Sequence, residues 1–244
     1  MTMTKKLGLA VAATFALALT SAVPAQAALI TISDSTPRWQ NDNPDAWVVI
    51  TDNNGDNISV RWGDIFSPSG YDFSAKQTPF QVDTNVNGGK FLLGEFTHLN
   101  FPTFLPSLES IELKFSMQIG GGANPSSFQE VFKFHHNETP NQRPCQPGSQ
   151  SVCDDIVTFS QGTLNSSFEL NGTHYVLRLL GFSQDGGNTL TDGFMTKENK
   201  KNTAKLYAQI IERQDPTPVP EPTSMFLLGT GLAGLAARRL RRKQ

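Results

Sequence analysis

Two cysteines, four histidines and 22 carboxylates carry most of the reactive chemistry of this 244-residue chain. Cys145 and Cys153 enclose a short stretch containing Pro147 and Gly148. Such a pair either closes a disulfide or supplies half of a thiolate zinc site. His135 and His136 are the nearest further ligands, but neighbours on a strand point to opposite faces, so both cannot serve one ion. Asp52, Asn54 and Asp56 alternate around Gly55 and form a weak calcium candidate. The twelfth-position glutamate of an EF-hand is missing, and Asn and Asp make the same turns without an ion. No other metal or cofactor is expected. Trp39, Trp47, Trp62 and Tyr71 would serve as a sugar platform if exposed, or as core if buried. Paired carboxylates would suit glycoside hydrolysis, but their separation in space is not written in the sequence. Gly-x-Ser-x-Gly, His-Glu-x-x-His and nucleotide fingerprints are absent, and Gly120-Gly121-Gly122 lacks the Lys-Ser/Thr of a phosphate loop. No catalytic residues are assigned, and the chain reads as a non-enzyme.

The two ends decide the compartment, and with it the cysteine chemistry. Lys5 and Lys6 precede an uncharged apolar run at residues 7–20, followed by the small-residue site Ala25-Gln26-Ala27. This is the order of a secretory signal, so residues 1–27 are expected to be removed. In an exported chain, an isolated close cysteine pair reads as the disulfide Cys145–Cys153. At the other end, residues 215–222 form a Pro-rich linker, and residues 223–244 an apolar run with a basic terminus. As a helix, residues 223–237 would span about 22 Å against roughly 30 Å of hydrocarbon. Arg238, Arg239, Arg241 and Arg242 would hold the far end on the cytoplasmic side.

Val219-Pro220-Glu221-Pro222, the short glycine-containing apolar run and the Arg-rich end together resemble the PEP-CTERM sorting signal of Gram-negative bacteria. The resemblance implies recognition of Pro220, Glu221 and Pro222 by an exosortase, a membrane protease that cuts there and releases or transfers the protein. It also implies an inner-membrane intermediate, then the cell surface or the extracellular space, in company with exopolysaccharide and biofilm. An ordinary tail anchor is the competing reading.

Residues 28–214 are left to fold as a single domain. Seven of the 20 basic residues lie in the two ends, leaving 13 against all 22 acids over residues 28–221, a net charge of −9. That balance argues against nucleic acid as a partner. Strands are predicted at residues 47–51, 57–62, 90–99, 110–119, 128–135, 155–160, 167–170, 174–182 and 204–212. Residues 110–119 alternate apolar and polar most cleanly, and Asn171-Gly172 signals a hairpin. The fold class is therefore all-β, an antiparallel β-sandwich of jelly-roll-like type. It is flanked by an N-terminal signal helix and a short C-terminal membrane helix. Seventeen phenylalanines suit an aromatic inter-sheet core.

Thr97-His98-Leu99-Asn100, running into Phe101-Pro102, resembles the Thr-His-x-Asn signature of one group of PEP-CTERM proteins. The Asn57–Trp62 stretch with Gly63 and the cysteine loop followed by Asp154-Asp155 are similar to that group as well. Pro102 cannot join a ladder, so the strand should end near Asn100. His98 and Asn100 then either bond backbone groups at the strand end or face a ligand. The expected function is a structural or interaction component of the extracellular matrix. The alternatives are a carbohydrate-binding module, marked by exposed coplanar tryptophans, and a glycan-active enzyme, marked by a cleft holding two carboxylates.

Overall fold

The computed structural model describes residues 28–41, 48–52, 54–103, 107–120, 125–160 and 167–213. The expected signal helix, Pro-Glu-Pro segment and C-terminal helix lie outside them. Among the described residues the regular structure is thirteen strands, β1 to β13 in chain order, and one 3₁₀ turn. No helix there is long and apolar enough to cross a membrane.

The strands form two sheets in which every pairing is antiparallel. The first runs β5 (Phe80–Asp83), β1 (Leu29–Gln40), β7 (Ser110–Ile119), β8 (Ser126–Asn137), β9 (Asp155–Ser160) and β12 (Gly193–Thr196). The second runs β2 (Val48–Asp52), β3 (Asn57–Trp62), β4 (Ser69–Ala75), β6 (Lys90–Asn100), β13 (Lys200–Glu212), β11 (Thr173–Ser183) and β10 (Ser167–Leu170).

Period-2 alternation explains which faces meet. On β7, Ile111, Leu113, Phe115, Met117 and Ile119 are buried, while Glu112, Lys114, Ser116 and Gln118 are only half-buried. On β8 the inward positions are Phe128, Phe132, Phe134 and also the polar Glu130 and His136. Residues from both sheets join one hydrophobic cluster. At its centre Phe96 of β6 stacks on Phe134 of β8, with ring centroids 5.2 Å apart. Asn171 and Gly172 both take positive φ, 52° and 80°, and turn β10 into β11.

Four strands were not foreseen: β1, β4, β5 and β12. Pro37 hides β1, yet it sits where a strand tolerates it. β5 pairs only with residues 29–32, so the outer edge of β1 is free of that partner at Pro37, which lies opposite Phe115 of β7.

The loop between β8 and β9 is closed by a disulfide between Cys145 and Cys153. This sets aside the thiolate zinc alternative. The Asp154 carboxylate accepts from the Gln150 and Ser151 amides at 2.8 and 2.9 Å, which shapes the same loop. Replacing both cysteines by serine should cost about 2.5 kcal/mol on the loop-entropy scale. Urea denaturation of oxidised wild type against the double variant measures it. Equal midpoints would mean that the Asp154 bonds alone close the loop.

Candidate functional site

The alternation that builds the core places polar side chains at one end of it. On β6, Thr97 turns outward to bond Thr203 Oγ1 at 2.9 Å, while His98 and Asn100 turn inward and are completely buried. On β8 the neighbouring histidines part company: His135 is exposed and His136 is 7 % exposed. Asp155, first residue of β9, is completely buried, and the next residues in space are Glu138 and Glu198. Thr196 of β12 lies directly opposite Asp155. Both sheets therefore contribute.

Aromatic rings wall the cluster. Trp62 stacks on His98 with centroids 5.8 Å apart, and the two imidazoles meet edge to face at 5.0 Å. Tyr71 shares a hydrogen bond of 2.7 Å with His136 Nδ1. His136 Nε2 faces Glu138 Oε2 at 3.1 Å and Asp155 Oδ2 at 3.9 Å. His98 Nδ1 meets Thr196 Oγ1 at 2.8 Å, and Asn100 Nδ2 donates to the Thr196 carbonyl at 3.0 Å. Asp155 Oδ1 accepts from the Thr139 amide at 2.8 Å.

The Thr196 hydroxyl donates to the Asp155 carbonyl at 3.3 Å. In that arrangement its oxygen accepts from His98 Nδ1, and in this tautomer the imidazole presents a bare Nε2 inward. Among the described residues, four buried polar atoms here have no hydrogen-bond partner: His98 Nε2, Asn100 Oδ1, Asp155 Oδ2 and Glu198 Oε2. All four are acceptors.

The electrostatics follow from this crowding. Burial, reinforced by His136, holds the His98 imidazole well below its ordinary range, so it is neutral. Burial pushes the Asp155 carboxyl up to about 7, opposed by the Thr139 amide and reinforced by Glu138. Burial and Glu138 raise Glu198 as well, and burial raises the Tyr71 hydroxyl. A cleft of about 980 Å³ opens beside the cluster and is lined in part by Glu138, Thr139, Asn141, Ser151 and Glu198.

A second cleft of about 500 Å³ lies against the 183–191 loop. Its Asp154 and Asp185 carboxylates already hold loop amides and hydroxyls, so it offers little to a ligand. Bonds from the Thr189 amide and the Ser183 hydroxyl lower the Asp185 pKa to about 2. The folded value lies below the unfolded one, so this contribution is present above the ordinary carboxylate range and fades as pH falls through about 2. The protection of the Thr189 amide, its exchange rate relative to an unstructured chain at the same pH, should fall over that interval, and unchanged protection would contradict the assignment.

The other sequence candidates fare differently. Trp39 and Trp62 are 1 % and 2 % exposed and Tyr71 is fully buried, so the sugar platform is corrected to core and site wall. Trp47 lies outside the described residues. Asp52 Oδ1 accepts from the Asn54 amide at 3.1 Å, the ordinary turn bond. Asn100 does bond a backbone carbonyl at the strand end, but His98 bonds a side-chain hydroxyl instead. Sequence reasoning missed Glu138, Thr196 and Glu198, which carry no motif. Asp155 was visible only as half of Asp154-Asp155.

The tail adds an independent finding. Residues 218–242 match the PEP-CTERM protein-sorting motif. No curated protein matches the chain. The tail match supports a PEP-CTERM protein, exported through the membrane to the cell surface and processed by an exosortase, a membrane protease.

Proposed function

We propose that the mature protein is a structural or interaction component of the extracellular matrix, made alongside exopolysaccharide and biofilm. On this reading it is a Thr-His-x-Asn member of the PEP-CTERM proteins, with a jelly-roll-like sandwich as its working domain. The match at residues 218–242 carries the proposal, since it couples the chain to surface delivery. The acidic balance and the disulfide of residues 28–214 are in keeping with life outside the cell. Deleting the gene in a matrix-forming host should lower the polysaccharide retained on the cells, with restoration by the wild-type chain. Unchanged retention would count against a matrix role.

One observation favours a second reading, a glycan-active enzyme. Glu138 and Glu198 line a cleft beside Asp155, whose carboxyl is raised to about 7, as an acid partner in glycoside chemistry would need. Shortening of the host polysaccharide by the mature protein, lost in Glu198→Gln, would favour the enzyme. A glycan array probed with the same protein separates binding from turnover.

A further inference from the structure

We infer that the inter-sheet cluster is a binding site for one divalent transition-metal ion, held by His98, His136 and Asp155, with the Glu138 and Glu198 carboxylates adjoining it on the cleft side. This stands apart from whatever the mature protein does at the surface.

His98 Nε2, Asn100 Oδ1, Asp155 Oδ2 and Glu198 Oε2 are unpartnered, on residues between 0 % and 7 % exposed. Buried polar groups are normally satisfied, and four acceptors gathered together need a shared source of positive charge. One proton on a carboxyl would satisfy a single acceptor and leave the others. A cation between His98 Nε2 and Asp155 Oδ2 satisfies both at once, with the Glu198 carboxylate close by.

Spacing agrees. One ligand atom each from His98, His136 and Asp155 lies within 4.8 Å of the others, and so do those of Glu138, Asp155 and Glu198. Around an ion with bonds of about 2.1 Å, neighbouring octahedral ligands sit about 3.0 Å apart and opposite ones about 4.2 Å. The 3.1 Å from His136 Nε2 to Glu138 and the 3.9 Å to Asp155 fall near those two values. Asp155 belongs to both groups, so the ion sits with His98, His136 and Asp155, and the carboxylate group of Glu138 and Glu198 adjoins it, Glu138 at His136.

The outer contacts are those a metal site requires. A ligating histidine fixes its tautomer by bonding through its other nitrogen. His98 does so to Thr196 and His136 to Tyr71, while Thr139 holds the far oxygen of Asp155. Two imidazoles with carboxylates suit zinc, manganese, iron or cobalt, whereas calcium and magnesium prefer all-oxygen shells. The cleft beside Glu138 and Glu198 supplies the way in.

The test uses the mature exported protein, stripped with EDTA and titrated with Co²⁺ and Zn²⁺ by calorimetry, visible absorption and elemental analysis. One equivalent per chain is expected, with cobalt d–d bands that reveal nitrogen ligation. His98→Gln should weaken Zn²⁺ binding about 100-fold or more, and Glu198→Gln, which removes the adjoining charge, about 10-fold or more. Thr196→Val should weaken it about 10- to 100-fold, while the exposed His135→Gln leaves it unchanged. Should His98→Gln fail to fold, Glu198→Gln at the mouth carries the comparison. Substoichiometric uptake of both ions, uptake indifferent to the folded variants, or Ca²⁺ bound more tightly than Zn²⁺ would overturn the inference. Water would then be the occupant in the first two outcomes, and a hard-cation site in the third.

Discussion

A Glu221→Ala chain should be exported normally yet remain uncut, accumulating in the inner membrane as the longer form. The tail match spans residues 218–242, so both the Pro-Glu-Pro and the apolar and basic segments fall within it. Pro220 and Pro222 flank a single charge, that of Glu221. Removing that charge leaves the apolar run and the arginines untouched, so membrane retention survives while recognition is lost. Fractionation and immunoblotting in a host that carries an exosortase reads the result. Release of the variant at the wild-type rate would show that Glu221 plays no part in recognition.

The second large effect belongs to the core. Phe96→Ala should destabilise the domain by about 3–5 kcal/mol. Phe96 is completely buried and touches rings from both sheets: Phe134 at 5.2 Å, Phe182 at 5.4 Å and Trp39 at 6.3 Å. Alanine would open a cavity between partners fixed on opposite sheets, which cannot collapse together without shifting strands. Phe66, 89 % exposed, provides the control, and Phe66→Ala should change stability by less than about 0.5 kcal/mol. Urea unfolding of both variants measures the contrast, and equal midpoints would contradict the inter-sheet core.

The strands that announced themselves were those with clean apolar and polar alternation or with clear turn residues at their ends. β3, β7, β9 and β10 match their predicted limits to the residue. β8 alternates poorly in sequence because Glu130 and His136 share its inward face with Phe128, Phe132 and Phe134. That blemish in the pattern was itself a signal of the site. β12 has only four residues and gives periodicity little to work on.

The site was legible only in fragments. His98 and Asn100 stood out through a short motif, but their partners lie 96 to 98 positions away on β12. In the sequence His136 stands beside His135 and near the two cysteines, a setting that points only to thiolate zinc. Strand alternation did settle one point correctly, that only one of the two adjacent histidines faces inward. What brings His136 to Asp155 is the antiparallel pairing of β8 with β9 across a disulfide-closed loop. Contacts between the sheets, such as Tyr71 with His136, depend on how two whole sheets meet, and no local pattern encodes them.

Intact mass of the protein released from an exosortase-bearing host tests the central claim, a sorted and exported domain, most directly. The account predicts a chain beginning at Ala28, ending near Pro222 and lighter by one disulfide's two hydrogens than its reduced form. A membrane-bound chain that keeps residues 223–244, in equal amount with and without the exosortase, would contradict it.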